Sequence, residues 1–115
     1  MKKILLSAIA ALAFAATAYA HHGWSNYDSS DTLSVSGTIV EVAFSYPHTT
    51  IRLQADDKTW LAVLAPPARM SARGMPSENL KVGDTATVEG YAHRSDPIEM
   101  RAERISVSGK TVELR

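Results

Sequence analysis

The chain has 115 residues, 12 Lys plus Arg against 12 Asp plus Glu, and no cysteine. The length allows one small domain, and the missing cysteines exclude a disulfide framework, a thiolate metal site and a thiol nucleophile together. A balanced charge gives no electrostatic footprint for nucleic acid or an anionic membrane surface.

At the N-terminus, Lys2 and Lys3 precede an apolar, Ala-rich stretch from Ile4 to Ala16, and Ala18 and Ala20 supply an A-x-A cleavage site. The pattern predicts a signal peptide over residues 1–20, with His21 as the new N-terminus. Ala16-Thr17-Ala18 also fits, and cleavage there would start the product at Tyr19. The apolar run is shorter than the roughly 20 residues a spanning helix needs. A mature, exported product without a membrane span is expected, and the Lys-Lys start with a short hydrophobic region points to the bacterial periplasm. Removing residues 1–20 leaves about 95 residues and 10 basic against 12 acidic side chains, a net charge near −2.

Residues 21–32 are polar and turn-rich, and read as an irregular arm pinned by Trp24 and Tyr27. A barrel domain is expected over residues 33–115. Leu33 to Phe44 is rich in β-branched residues, with Gly37 marking a bulge or a tight barrel bend. Ser45-Tyr46-Pro47 interrupts. His48 to Ala55 resumes as a strand, Asp56-Asp57-Lys58 makes a hairpin turn, and Thr59 to Leu64 forms a third strand. Pro66-Pro67 end it and open a short helix over 68–73, stopped by Gly74. Ser77 reads as the cap of one more turn reaching Leu80. Val82-Gly83-Asp84 turns the chain into a strand over 85–91, His93 to Pro97 make a polar loop, and strands follow over 99–107 and 111–114. The fold class expected is all-β: a five- to six-stranded Greek-key barrel of the oligonucleotide/oligosaccharide-binding (OB) type, with one short helix between strands 3 and 4.

The candidate chemistry centres on histidine. A free α-amine titrates near pH ~8 and an imidazole near ~6.5, so a terminal His21 can shed both protons and chelate. A further imidazole completes a three-nitrogen set suited to Cu(II). His48, fixed by Pro47 at a barrel end, is the preferred third donor, and His22 competes with His21 for the same ion. The metal candidates are therefore His21, His22 and His48, with copper as the ligand. Against this stand plainer readings: a His-His pair dangling in solvent, a hydrogen-bonded structural His48, and an exposed loop His93.

Met70, Met75 and Met100 are soft thioethers, yet the first two flank the short helix, where core packing is the favoured role. Arg101 and Arg104, interleaved with Glu99 and Glu103, read as ordinary solubility features of an outer strand face. Asp56-Asp57 sit at a hairpin turn for backbone reasons. No G-x-S-x-G elbow, H-E-x-x-H or glycine-rich phosphate loop is present. A non-enzyme is expected.

Ala20-His21-His22-Gly23-Trp24, Gly37-Thr-Ile-Val-Glu-Val, Tyr46-Pro47-His48, Leu64-Ala-Pro-Pro-Ala-Arg69 with Arg73-Gly74, Leu80-Lys-Val-Gly-Asp84 and Val88-Glu-Gly-Tyr91 together carry a resemblance. Through them nearly the whole mature chain resembles a family of small bacterial periplasmic proteins classed as a domain of unknown function. That family usually has Asn where this chain has Tyr46. The resemblance implies an exported small β-barrel and assigns no activity. By fold the chain is also similar to periplasmic barrel copper chaperones, whose His and Met ligand spacing it does not reproduce. Two functions follow as expectations. One is a periplasmic protein that binds or delivers copper through its N-terminal histidines. The other is a metal-free interaction module using a barrel face for a glycan, peptide or envelope partner, and it requires Trp24, Tyr27, Tyr46 and Tyr91 to gather on one exposed surface while the histidines scatter. Nucleic acid is disfavoured as a partner in both.

Overall fold

A computed structural model describes residues 23–115, so the expected signal peptide and the pair His21 and His22 lie outside the described residues. Six strands follow one another: β1 (Tyr27–Ala43), β2 (Thr50–Gln54), β3 (Thr59–Val63), β4 (Thr85–His93), β5 (Glu99–Val107) and β6 (Lys110–Glu113). Among the described residues a single short helix, α1 (Pro67–Ala72), lies between β3 and β4, and 3-10 turns occur at Trp24–Asn26 and Ser77–Asn79. The strand order is β3-β2-β1-β4-β5-β6, and a parallel pairing of β3 with β5 closes the sheet into a barrel. Closure removes most free edges, which a cysteine-free domain of this size needs.

β1 is long because it serves two neighbours. Its first part runs antiparallel to β4 and its last part antiparallel to β2, and Thr38 pairs with both Thr85 and Gln54. At this handover Gly37 lies so close to β2 that a Cβ would sit 2.3 Å from the Gln54 carbonyl oxygen. The bend expected at Gly37 is therefore present, while the register shift falls between Ile39 and Glu41.

Alternation along the strands supplies the core. Ile39, Ile51, Leu53, Val88, Met100 and Ile105 are fully buried, and Met70 and Met75 join them from α1 and the turn after it. All three methionines considered as soft ligands are thus core residues, each contributing about 1.5–3 kcal/mol by burial. Pro67 starts α1, and Gly74 at φ +93° ends it. The exposed side of α1 has a second task. Its Arg69 donates to the Leu114 carbonyl (3.3 Å), and Arg73, just past its end, donates to those of Glu113 and Arg115 (both 3.1 Å). These bonds satisfy the carbonyl groups at the end of β6, which pairs only with β5 among the described residues.

Several boundaries differ from expectation. β1 begins at Tyr27 rather than Leu33, β4 continues to His93 rather than stopping at Tyr91, and β2, β3, α1 and β6 shift at one or both ends by one or two residues. The first two share a cause. Tyr27 pairs with His93, leaving residues 28–31 as an irregularity before pairing resumes at Thr32 and Tyr91. The irregular arm expected over 21–32 is shortened accordingly. Ser77 is the first residue of its turn, capped by Pro76 without a side-chain bond.

Candidate functional site

Because Met100 and Ala102 of β5 point into the core, Glu99, Arg101 and Glu103 point outward. Cross-strand register places Tyr91 of β4, Arg101 of β5 and Val63 of β3 in one row across the outer surface. This row is not an open solvent face. The 3-10 turn at the head of β1 folds over it and lays the Trp24 ring under two guanidinium groups, Arg101 at 4.3 Å and Arg115 at 4.2 Å from its centroid. Tyr91 meets the same ring edge-on at 6.1 Å. Cation–π contacts contribute about 0.5–1 kcal/mol when exposed and about 2 when desolvated, and an edge-on aromatic pair adds about 0.5–1.5.

The carboxylates of the row are engaged. Glu103 takes the Tyr91 hydroxyl (3.0 Å) and an ion pair from Arg115 (2.9 Å). Glu99 accepts a short hydrogen bond from the Tyr27 hydroxyl and faces His93 Nε2 at 3.9 Å. Burial, followed by the Glu99 bond and its charge, pushes the Tyr27 phenol well above its ordinary value. Aromatic contact completes this corner, with the Tyr27 and His93 rings edge to face at 5.2 Å.

His48 opens the approach to β2, directly after the cis Tyr46–Pro47 bond. Its Nε2 lies 3.1 Å from Arg101 Nη2. A guanidinium can only donate, so Nε2 accepts, and the imidazole is the neutral Nδ1–H form. Burial lowers its pKa, and the nearby charges of Arg101 and Arg69 lower it further. Burial likewise pulls the Arg101 guanidinium below its ordinary value; Tyr27 and Glu103 oppose this, and repulsion from Arg115 and Arg69 adds to it. Arg101 Nε is buried and has no partner among the described residues.

His93 is the end of a strand, not a loop residue. Its Nδ1 accepts the backbone N–H groups of Ser95 (3.1 Å) and Asp96 (3.0 Å), which fixes the turn into β5. Of the three metal candidates, His48 alone lies among the described residues, bonded there to a guanidinium, and His21 and His22 lie outside them. Among the described residues, no group of three or more His, Cys, Asp or Glu is placed to hold a metal ion. No helix among them is long and apolar enough to cross a membrane.

The reading of Arg101, Glu99 and Glu103 as solubility features is corrected: they form a half-buried network with Trp24, Tyr27, Tyr91 and His48. The one signal in the sequence was the presence of Trp24 and Tyr27 in an otherwise polar arm. Arg104 does conform to the expectation, pairing at the surface with Glu89 (2.6 Å) and Glu113 (3.0 Å). A separate open cleft of about 330 Å³ lies beside Leu33, Val35, Asp56, Asp57 and Trp60, and none of the network residues lines it.

Closed barrel, helix position and strand order define an OB-type fold, and solved structures agree at low sequence identity. The S. pombe Stn1–Ten1 complex is similar with a TM-score of 0.55 and 10% identity, over 69% of this chain and 59% of that one. An OBody bound to hen egg-white lysozyme gives 0.54 and 12% over 70% and 96%. The S. cerevisiae mitochondrial single-stranded DNA binding protein Rim1 gives 0.52 and 11% over 70% and 95%. No curated protein matches the chain. The chain belongs to a family of unknown function, DUF6152, whose profile matches residues 8–100.

Proposed function

We propose that this protein is an exported binding module of the bacterial envelope, and that the face built from Trp24, Tyr91, Arg101 and His48 holds a protein partner. The observation that carries this reading is the gathering of aromatic rings and guanidinium groups on one outer barrel face. Aromatic and Arg side chains supply most of the energy at protein interfaces. Tyr46, 72% exposed, lies two residues before His48 in the chain. OB-type neighbours use the same scaffold for macromolecules, as the lysozyme-bound OBody does. A mature net charge near −2 and an exported location favour a protein over nucleic acid.

Copper delivery through His21, His22 and His48 has less support. The lone pair that His48 would offer a metal already accepts from Arg101, and Arg69 and Arg101 repel any cation that approaches. The test is photo-crosslinking in cells with a benzophenone amino acid at position 46, and at the 65% exposed Val82 as control. A discrete protein adduct at 46, absent at 82 and lost on Tyr91→Ala, is expected. No adduct at 46, or equal adducts at both positions, overturns the reading.

A further inference from the structure

We infer that Arg101, with Arg69 and His48 beside it, is a seat for an oxyanion, a carboxylate or a phosphate group, covered by Trp24 until the ligand arrives. The inference rests on the binding-face reading and names the chemical group that the partner presents.

A guanidinium carries five N–H donors. Among the described residues Arg101 has one hydrogen-bond acceptor, the neutral His48 nitrogen, and its buried Nε has none. Buried donors of a charged group are rarely left unmatched, because the lost hydration is not returned. The surrounding charges make the same point. Arg115 and Arg69 both act on Arg101 with like charge, opposed by Tyr27 and by Glu103. The carboxylates within reach are committed elsewhere, Glu103 to Arg115 and Tyr91, and Glu99 to Tyr27. One further negative group is what the cluster lacks. A planar, forked donor matches carboxylate and phosphate oxygens better than it matches an imidazole nitrogen.

Trp24 is the group placed to control access. It sits on a three-residue 3-10 turn rather than in the sheet, and its cover consists of ring contacts to Arg101, Arg115 and Tyr91. An oxyanion that pairs with Arg101 competes with the indole face for the same guanidinium. The seat and its cover are thus in exchange: binding lifts Trp24, and removing Trp24 favours binding.

The test uses the processed protein with Trp60→Phe, so that Trp24 is the remaining tryptophan of the chain. Inorganic phosphate and acetate are titrated separately against chloride at constant ionic strength. The Arg101 Nε–H resonance and Trp24 fluorescence are followed together. A saturable change in both signals, weakened many-fold by Arg101→Lys and several-fold by Arg69→Gln, is expected. Trp24→Ala is expected to tighten binding several-fold, read from the arginine resonance alone. Saturation by phosphate and not acetate assigns a phosphate ligand, and the converse assigns a carboxylate. Changes that never saturate, or that persist unaltered in both arginine variants, overturn the seat. If the position-46 adduct survives that result, the binding face stands without an oxyanion seat. If the adduct is absent as well, both readings fall.

Discussion

Gly90→Ala tests how the barrel aims its outer face. The register of β4 and β5 shifts between Glu89 and Gly90: Glu89 pairs with Arg104 and Gly90 with Ala102, so Glu103 is the extra residue of a bulge. That bulge turns Glu103 toward Tyr91 and Arg115. It depends on close backbone approach, since a Cβ on Gly90 would lie 1.9 Å from the Arg101 carbonyl oxygen, some 1.5 Å inside the ordinary 3.4 Å contact. The atom it strikes belongs to the backbone and cannot rotate away. Overpacking of this kind costs about 1–3 kcal/mol, and a backbone clash belongs at the upper end, about 3. Alanine returns up to about 1 kcal/mol by restricting the unfolded chain. The net loss is about 2 kcal/mol, which lowers Tm by about 8–16 °C in a domain of this size.

Urea and thermal denaturation followed by circular dichroism would measure it. Gly109→Ala is the control: nothing lies within 4 Å of its Cβ, and only its φ of +79° is unfavourable. That substitution is expected to cost under about 1 kcal/mol once the unfolded-chain gain offsets the left-handed penalty. A Gly90→Ala loss no larger than that of Gly109→Ala would refute the close-approach reasoning.

Three further outcomes are expected. Met100 is fully buried, so Met100→Ala should cost about 2–5 kcal/mol in equilibrium unfolding and Met100→Leu under about 1.5; equal costs would contradict the packing described. His48 has a folded pKa below the ordinary 6.5, so the unfolded state binds more protons just below that pH, and stability falls as pH drops through it. His48→Gln should flatten this dependence, and denaturation midpoints across pH 5–7.5 that decline equally in both proteins would contradict it. Tyr27 is raised above its ordinary 10.0, so the unfolded phenol ionises first and stability is lost as pH rises beyond about 10. Ultraviolet titration of folded protein should show the Tyr27 phenol ionising above its ordinary value, and Tyr27→Phe should remove its share of the alkaline loss.

Much of the barrel is legible in the chain because its strands bury alternate residues. Ile51, Leu53 and the Asp56-Asp57-Lys58 turn announce the β2–β3 hairpin, which Ala55 N–H closes on the Lys58 carbonyl at 2.9 Å. Pro67 and Gly74 bracket α1 for equally local reasons. The head of β1 is illegible because Asp28 to Asp31 carry no apolar period, and what holds Tyr27 in place is His93 and Glu99 at the far end of the chain. The site is illegible for a related reason. Glu99, Arg101 and Glu103 alternate with Met100 and Ala102 as any solvent-facing row would, and the groups that make that row half-buried come from other segments: Tyr27 and His93 on Glu99, Trp24 and His48 on Arg101, Tyr91 and Arg115 on Glu103. Proline before His48 marked a fixed strand entry, yet nothing local to it named Arg101 as its partner.

Copper titration of the processed protein, its N-terminus confirmed as His21 by mass spectrometry, separates a metal-free binding face from a metal centre most directly. A His48→Ala variant and a form with one added N-terminal Ala run beside it. Weak binding, indifferent to both changes, is expected where Arg101 holds the His48 lone pair. Tight one-to-one binding lost in both would contradict a binding face without metal and return the histidines to the centre of the function.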